Sequence, residues 1–222
     1  MRLSFMLRWR PISFVFFLML LGLSVPGAAL AQTRLFPVLD GIEKRYNAVK
    51  TLQVDFDQAF RFGPRQRSEK GTLYLQKPGK MRWDYADPKG KVFISDGKFV
   101  YLYSPSTNVV ERTPFRETDD LRAPLAFLLG KLDFRRDFDR FTSKPQGTNT
   151  WVAAEPKSKK SPYTMVSFLV SPSFEILEVE VTGYDQAINR FRFSNEKRNV
   201  AIGNATFEFQ PPAGSRLVDA EQ

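Results

Sequence analysis

Histidine and cysteine are both missing from this 222-residue chain. Any chemistry it performs must therefore come from carboxylates, Ser–Lys pairs or tyrosine. Without histidine there is no ordinary general base at neutral pH, no Ser-His-Asp relay and no common transition-metal ligand set. Without cysteine there is no thiol nucleophile and no disulfide. Ser194-Asn195-Glu196-Lys197 matches the S-x-x-K acyl-enzyme spacing. That chemistry needs its Ser and Lys one helical turn apart and a KTG-type strand beside them. Here the motif follows a strand-like run and no KTG exists, so a polar turn is the better reading. Asp55 with Asp57, and Asp137 with Asp139, are carboxylate pairs of the kind glycoside hydrolysis uses. They alternate with apolar residues, as a solvated strand face does. Glu117, Asp119 and Asp120 lack the spacing of a calcium loop, and there is no Gly-rich phosphate cradle. The sequence assigns no catalytic residue, no metal ligand and no cofactor.

The elements that would position any site are mostly strands. Leu35, Leu39, Ile42, Tyr46 and Val49 recur at three- and four-residue steps, which predicts one amphipathic helix ending near Lys50, with Pro37 in its first turn. Period two takes over at once: Leu52, Val54, Phe56, Gln58, Phe60 and Phe62 share one face. Gly63-Pro64 and the charged stretch to Lys70 read as a turn. Gly71 to Tyr85 (GTLYLQKPGKMRWDY) alternates on both sides of a Lys77-Pro78-Gly79-Lys80 turn, as two antiparallel strands do. Asp96-Gly97 marks a further hairpin. Pro114 to Thr142 breaks the rhythm. An apolar knot of Leu125, Phe127, Leu128 and Leu129 lies between Pro124 and Gly130, and Leu132, Phe134, Phe138 and Phe141 read as short helices. Strands return at Trp151 to Ala154, Tyr163 to Val170, Glu175 to Thr182, Asn189 to Ser194 and Ala205 to Gln210. The expected fold is mainly β with short helices (α+β), in one domain over residues 32–222.

The first 31 residues read as a signal peptide. Arg2, Arg8 and Arg10 precede an apolar run from Ile12 to Leu23, and Ala29-Leu30-Ala31 supplies the cleavage site. The expectation is cleavage after Ala31 and a soluble product in the periplasm. The full chain carries a net charge of +9. Export argues against a nucleic-acid partner, which leaves two readings of the charge: an acidic partner or anionic membrane surface, and solubility alone.

Phenylalanine is abundant, with 21 in the chain and 17 beyond residue 31. Many sit on strand faces. A long antiparallel sheet curls around one apolar interior. The chain offers only one long helix and one apolar knot to plug that interior. A curled sheet with a greasy concave face and a separable lid is a pocket for apolar ligands. Burying methylenes contributes ~0.8 kcal/mol each, so a sixteen-carbon acyl chain gains on the order of 10 kcal/mol there.

Five segments in order carry a resemblance: Phe56-Asp57-Gln58, Gly71 to Tyr85, Ile94-Ser95-Asp96-Gly97-Lys98, Pro124 to Leu129, and Phe207 to Gly214 (FEFQPPAG). Together they resemble the LolA family of periplasmic lipoprotein carriers. The resemblance implies a single curled antiparallel sheet forming an unclosed β-barrel, with an N-terminal helix and a helical lid. It implies a non-enzymatic, monomeric chaperone. Its cargo would be acylated lipoproteins, received from an inner-membrane ABC-type releasing complex and passed to an outer-membrane acceptor. Phe56, Leu73, Leu75, Met81, Trp83, Tyr85, Ile94 and Phe168 are then the expected acyl-cavity residues, with Leu125, Phe127 and Leu128 as the lid. Lys77 stands where the family often has Arg as a lid latch. The alternative is a periplasmic lipid- or glycolipid-binding module, for transport or lipid sensing, on the same half-barrel.

Overall fold

The computed structural model describes residues 27–115, 131–159, 161 and 163–219, with residues 27–34 described as helix backbone alone. Helix α1 (Gly27–Asn47) precedes six strands: β1 (Thr51–Phe62), β2 (Arg65–Gln76), β3 (Lys80–Asp87), β4 (Val92–Asp96), β5 (Phe99–Ser104) and β6 (Val109–Pro114). A one-turn helix α2 (Phe134–Asp137) leads into β7 (Phe138–Gln146), β8 (Asn149–Pro156), β9 (Tyr163–Val170), β10 (Ile176–Gly183) and β11 (Ile188–Arg198). A 3₁₀ turn (Asn204–Phe207) and a short β12 (Arg216–Asp219) complete the chain.

All twelve strands form one sheet in the order β12-β6-β5-β4-β3-β2-β1-β11-β10-β9-β8-β7. Two antiparallel meanders, β1–β6 and β7–β11, are joined along β1 and β11 through a register that pairs Phe56 with Phe193 and Arg61 with Ile188. Only β12 runs parallel to its neighbour, β6. Strands β7 and β12 stand at opposite edges, so the barrel is unclosed. One sheet face gathers a single apolar core with α1, whose Leu35, Leu39, Ile42 and Tyr46 are all buried. Alternation on the strands supplies the rest: Leu52, Val54 and Phe56 from β1, Leu73 and Leu75 from β2, Met81 and Trp83 from β3.

Local chemistry sets the turns and register. The Asp96 carboxylate accepts from the backbone N–H groups of Lys98 and Phe99, both at 2.7 Å, and Gly97 takes φ 93°. Gly71 faces the β3 backbone so closely that a Cβ there would lie 2.0 Å from the Asp84 carbonyl oxygen. It sits beside a register shift between Lys70 and Gly71, so the strands close up where no side chain intervenes.

Several expectations are corrected. Helix α1 begins at Gly27, which places Pro37 inside it rather than in its first turn, and it ends at Asn47. Arg65 to Lys70 is strand, leaving Gly63-Pro64 alone as the turn. Phe138 and Phe141 belong to β7. Arg140, at φ 47°, lies in an irregularity between Asp139 and Thr142. The extra residue destroys period two and gives the run a helical spacing. Ala205 to Phe207 lies in a 3₁₀ turn rather than a strand, and β12 is a further strand beyond the expected set. Leu125, Phe127, Leu128 and the acidic Glu117, Asp119 and Asp120 lie outside the described residues.

Candidate functional site

An aromatic cluster occupies the concave face where the two meanders meet. The ring centroids of Phe56 and Trp83 are 4.7 Å apart, edge to face, and Phe56 meets Tyr85 at 5.2 Å. Phe191 of β11 lies 5.3 Å from Trp83. Edge-to-face rings at these separations contribute beyond their buried area. The Trp83 indole N–H points at the Met81 sulfur, 2.9 Å away. The antiparallel register sets Leu73 opposite Trp83 and Leu75 opposite Met81. Phe56, Leu73, Leu75, Met81 and Trp83 are therefore one contiguous surface, each at most 2% exposed.

Of the remaining expected residues, Phe168 shares this core and Ile94 does not. Phe168 is buried across the interior on β9, where its ring meets Phe134 at 5.5 Å. Ile94 pairs with Arg82, while Phe93 pairs with Trp83. Ile94 therefore faces away from the interior, and Phe93 takes the inward place. The strand β4 is buried on both faces, which hides its parity in the sequence.

Lys77 donates from Nζ to the Tyr46 carbonyl oxygen at 2.9 Å, and its own N–H donates to the Lys50 carbonyl. It ties the end of β2 to the last turn of α1, where unpaired carbonyls attract cations. Burial lowers its pKa from the usual lysine value. Beside it, the Tyr46 hydroxyl donates to Glu196 at 2.7 Å and accepts from the Ile176 N–H at 2.9 Å. Arg45 completes the link, 2.5 Å from the other Glu196 oxygen. Burial, reinforced by the Glu196 charge, pushes the Tyr46 pKa well above its ordinary value.

At the end of the sheet away from this link, the greasy surface gives way to charge. Glu69 is 5% exposed and meets Lys91 Nζ at 2.5 Å and Arg67 Nε at 3.1 Å. The Lys91 ammonium lies 4.2 Å from the Tyr85 ring centroid. Burial and then the Glu69 charge raise the Tyr85 pKa. Glu69 lies in a charged stretch whose composition resembles a turn, which masks its place on β2. Its parity with Gly71, Leu73 and Leu75 is the signal that it points inward.

Three of the acids weighed for catalysis have structural partners. Asp55 accepts from Thr72 and Asn195, both at 2.9 Å, stitching β2, β1 and β11 together. Asp137 pairs with Arg136, and Asp139 lies 3.9 Å from Arg140. Ser194 and Lys197 sit on strand β11 rather than on a helical turn. On the outer face of β7–β11, a groove of about 660 Å³ is lined by Trp151, Met165, Glu178, Glu180, Arg190 and Arg192. It is bridged by Arg190–Glu180 at 2.8 Å and Arg192–Glu178 at 3.3 Å.

Comparison with known proteins gives a consistent result. The family described as outer membrane lipoprotein carrier protein LolA matches residues 47–210. An outer-membrane lipoprotein carrier protein of Chromobacterium violaceum is 27% identical over 200 residues, covering 90% of this chain and 93% of its own. One from Methylobacillus flagellatus is 31% identical over 156 residues, covering 70% and 75%. A LolA superfamily protein from Nitrosomonas europaea superposes with a TM-score of 0.45 at 9% identity, covering 79% of this chain and 97% of that one. The family match starts at the last residue of α1 and runs through every strand of both meanders to Gln210, so this chain belongs to the LolA family of outer membrane lipoprotein carriers.

Proposed function

We propose that this chain is a periplasmic carrier that holds the acyl chains of lipoproteins against the Phe56–Trp83–Met81 surface. The observation that carries the reading is that surface itself: aromatic and aliphatic, continuous across three strands and gathered into one buried core with the apolar face of α1. It offers an acyl chain apolar contact and asks for no chemistry of it. Residues 1–31 act as a cleaved signal peptide in this reading. The remainder is a single carrier domain that retains Leu35 onward, all of the buried face of α1 described here. Cargo arrives from an inner-membrane ABC-type releasing complex and leaves for an outer-membrane acceptor. The expected lid, Leu125, Phe127 and Leu128, gives way together with α1. Lys77 biases that movement through its bond to Tyr46. Closed and loaded states must lie within a few kcal/mol of each other for cargo both to enter and to leave.

The test is mass spectrometry of what co-purifies with the protein from the periplasm. A triacylated protein is expected. A free glycolipid or phospholipid in its place would establish the lipid-binding alternative, which the Glu69–Lys91–Arg67 cluster at the rim of the apolar surface favours as a headgroup contact.

A further inference from the structure

The β1–β2 hairpin ends on residues that the interior does not use. The inward face of β1 runs from Phe56, 2% exposed, through Gln58 and Phe60 to Phe62, 42% exposed at the tip. Tyr184, 62% exposed, stands in the β10–β11 turn at the same end of the sheet, because Arg61 pairs with Ile188 at the start of β11. Arginines stand among the β1–β2 rings, and the one carboxylate beside Tyr184, Asp185, accepts from the Ala187 N–H within its own turn. Arg61, Arg65 and Arg67 are all exposed. Arg67 lies over the Phe60 ring at 5.7 Å and pairs with Glu69. Among the described residues no acid forms an ion pair with Arg61 or Arg65, and residues 61–68 contain three arginines and no carboxylate.

A convex tip with aromatic rings among arginines matches the headgroup layer of a bilayer. Rings settle at the boundary between headgroups and acyl chains, and guanidinium forks bind phosphates. An anionic leaflet supplies the complementary charge, and its attraction is screened by salt. We propose that the β1–β2 tip, with Tyr184, docks the protein onto anionic phospholipid surfaces. Docking needs no cargo, so it goes beyond the carrier reading. Because Phe62 shares a face with Phe56, docking would also set the outer end of the interior wall against lipid.

The experiment is co-sedimentation of the cargo-free chain, without residues 1–31, with protein-free vesicles. One set holds phosphatidylglycerol and phosphatidylethanolamine, the other phosphatidylcholine alone. Binding to the anionic vesicles is expected to be at least tenfold stronger and to fall as salt rises. The double change Arg61→Glu and Arg65→Glu should reduce it at least tenfold, and Phe62→Ser with Tyr184→Ser should reduce it severalfold. All four residues are exposed, so unfolding is not the expected cause, and an unchanged far-UV spectrum checks this. Equal binding to both vesicle types, or variants that bind like the parent, would overturn the proposal. Binding only to native membranes, and not to protein-free vesicles, would assign the tip to a protein partner and overturn it equally. Failure of the parent chain to bind anionic vesicles, with lipoprotein still co-purifying from the periplasm, would sink this proposal and leave the carrier reading standing.

Discussion

Tyr46 joins three elements through one hydroxyl. It belongs to α1, donates to Glu196 of β11 and receives the Ile176 N–H of β10. Tyr46→Phe keeps the ring and removes the hub, leaving a buried N–H without its acceptor. A loss of about 1–3 kcal/mol is expected, read as a lower urea midpoint with an unchanged slope. The same residue sets an alkaline limit. Tyr46 and Tyr85 both hold folded pKa values above the free value of 10.0. Their contribution is complete below that value and is lost as pH rises beyond it toward the folded values, because only the unfolded chain ionises easily. Unfolding titrations above pH ~10 should therefore show stability falling more steeply in the parent than in Tyr46→Phe. At this scale the sequence was legible where burial alternates, as at Met81, Trp83 and Tyr85. It was not legible where a role depends on a distant chain segment. Glu196 appeared only as the third member of an S-x-x-K pattern, and no local spacing links it to Tyr46, 150 residues away.

Elements with regular alternation were read with small shifts at their ends, and those with an inserted residue or few residues were not. β7 carries a helix-like pattern because the irregularity at Arg140 spaces its phenylalanines three apart. β12 has four residues and only a partly buried Val218, so its partner β6 defines it rather than its own pattern. Arg112 of β6 grips Asp219 of β12 at 2.7 and 3.0 Å, and this holds the Asp219 carboxyl below the usual carboxylate range. A depressed carboxylate contributes above its unfolded value and loses that contribution as pH falls through its folded one. Amide protection at Leu217 and Val218, taken relative to the free-chain exchange rate at each pH, should therefore fall on acidification before protection in the central strands does. Arg112→Gln should abolish the difference. The β2–β3 contact gives a second expectation. Gly71→Ala drives a methyl into the Asp84 carbonyl, so the strands must part, at a cost of about 3 kcal/mol. Thermal unfolding of this variant would check it, and a midpoint equal to the parent's would contradict the close approach.

At the scale of the whole molecule, two meanders share one interior with the apolar face of α1. The composition foretold a curled sheet with too few helices to fill it. The joining of β1 to β11 was out of reach, since pairing across some 130 residues leaves no local trace. The same limit hid the link that ties α1 down through Arg45, Tyr46 and Lys77. In the described state the Trp83 surface is sealed, so a cargo chain must displace what covers it. The central claim is that acyl chains then lie against Trp83. Tryptophan occurs three times, at residues 9, 83 and 151. A Trp151→Phe chain without residues 1–31 therefore reports from Trp83 alone. It should be loaded with a lipopeptide whose acyl chains carry bromine at mid-length, a quencher that acts only near contact. Trp83 emission is expected to fall strongly on loading and recover on release, while Trp151 on the outer groove of the reciprocal Trp83→Phe chain stays bright. A loaded complex with Trp83 unquenched, or with Trp151 quenched instead, would place the cargo elsewhere and contradict the account.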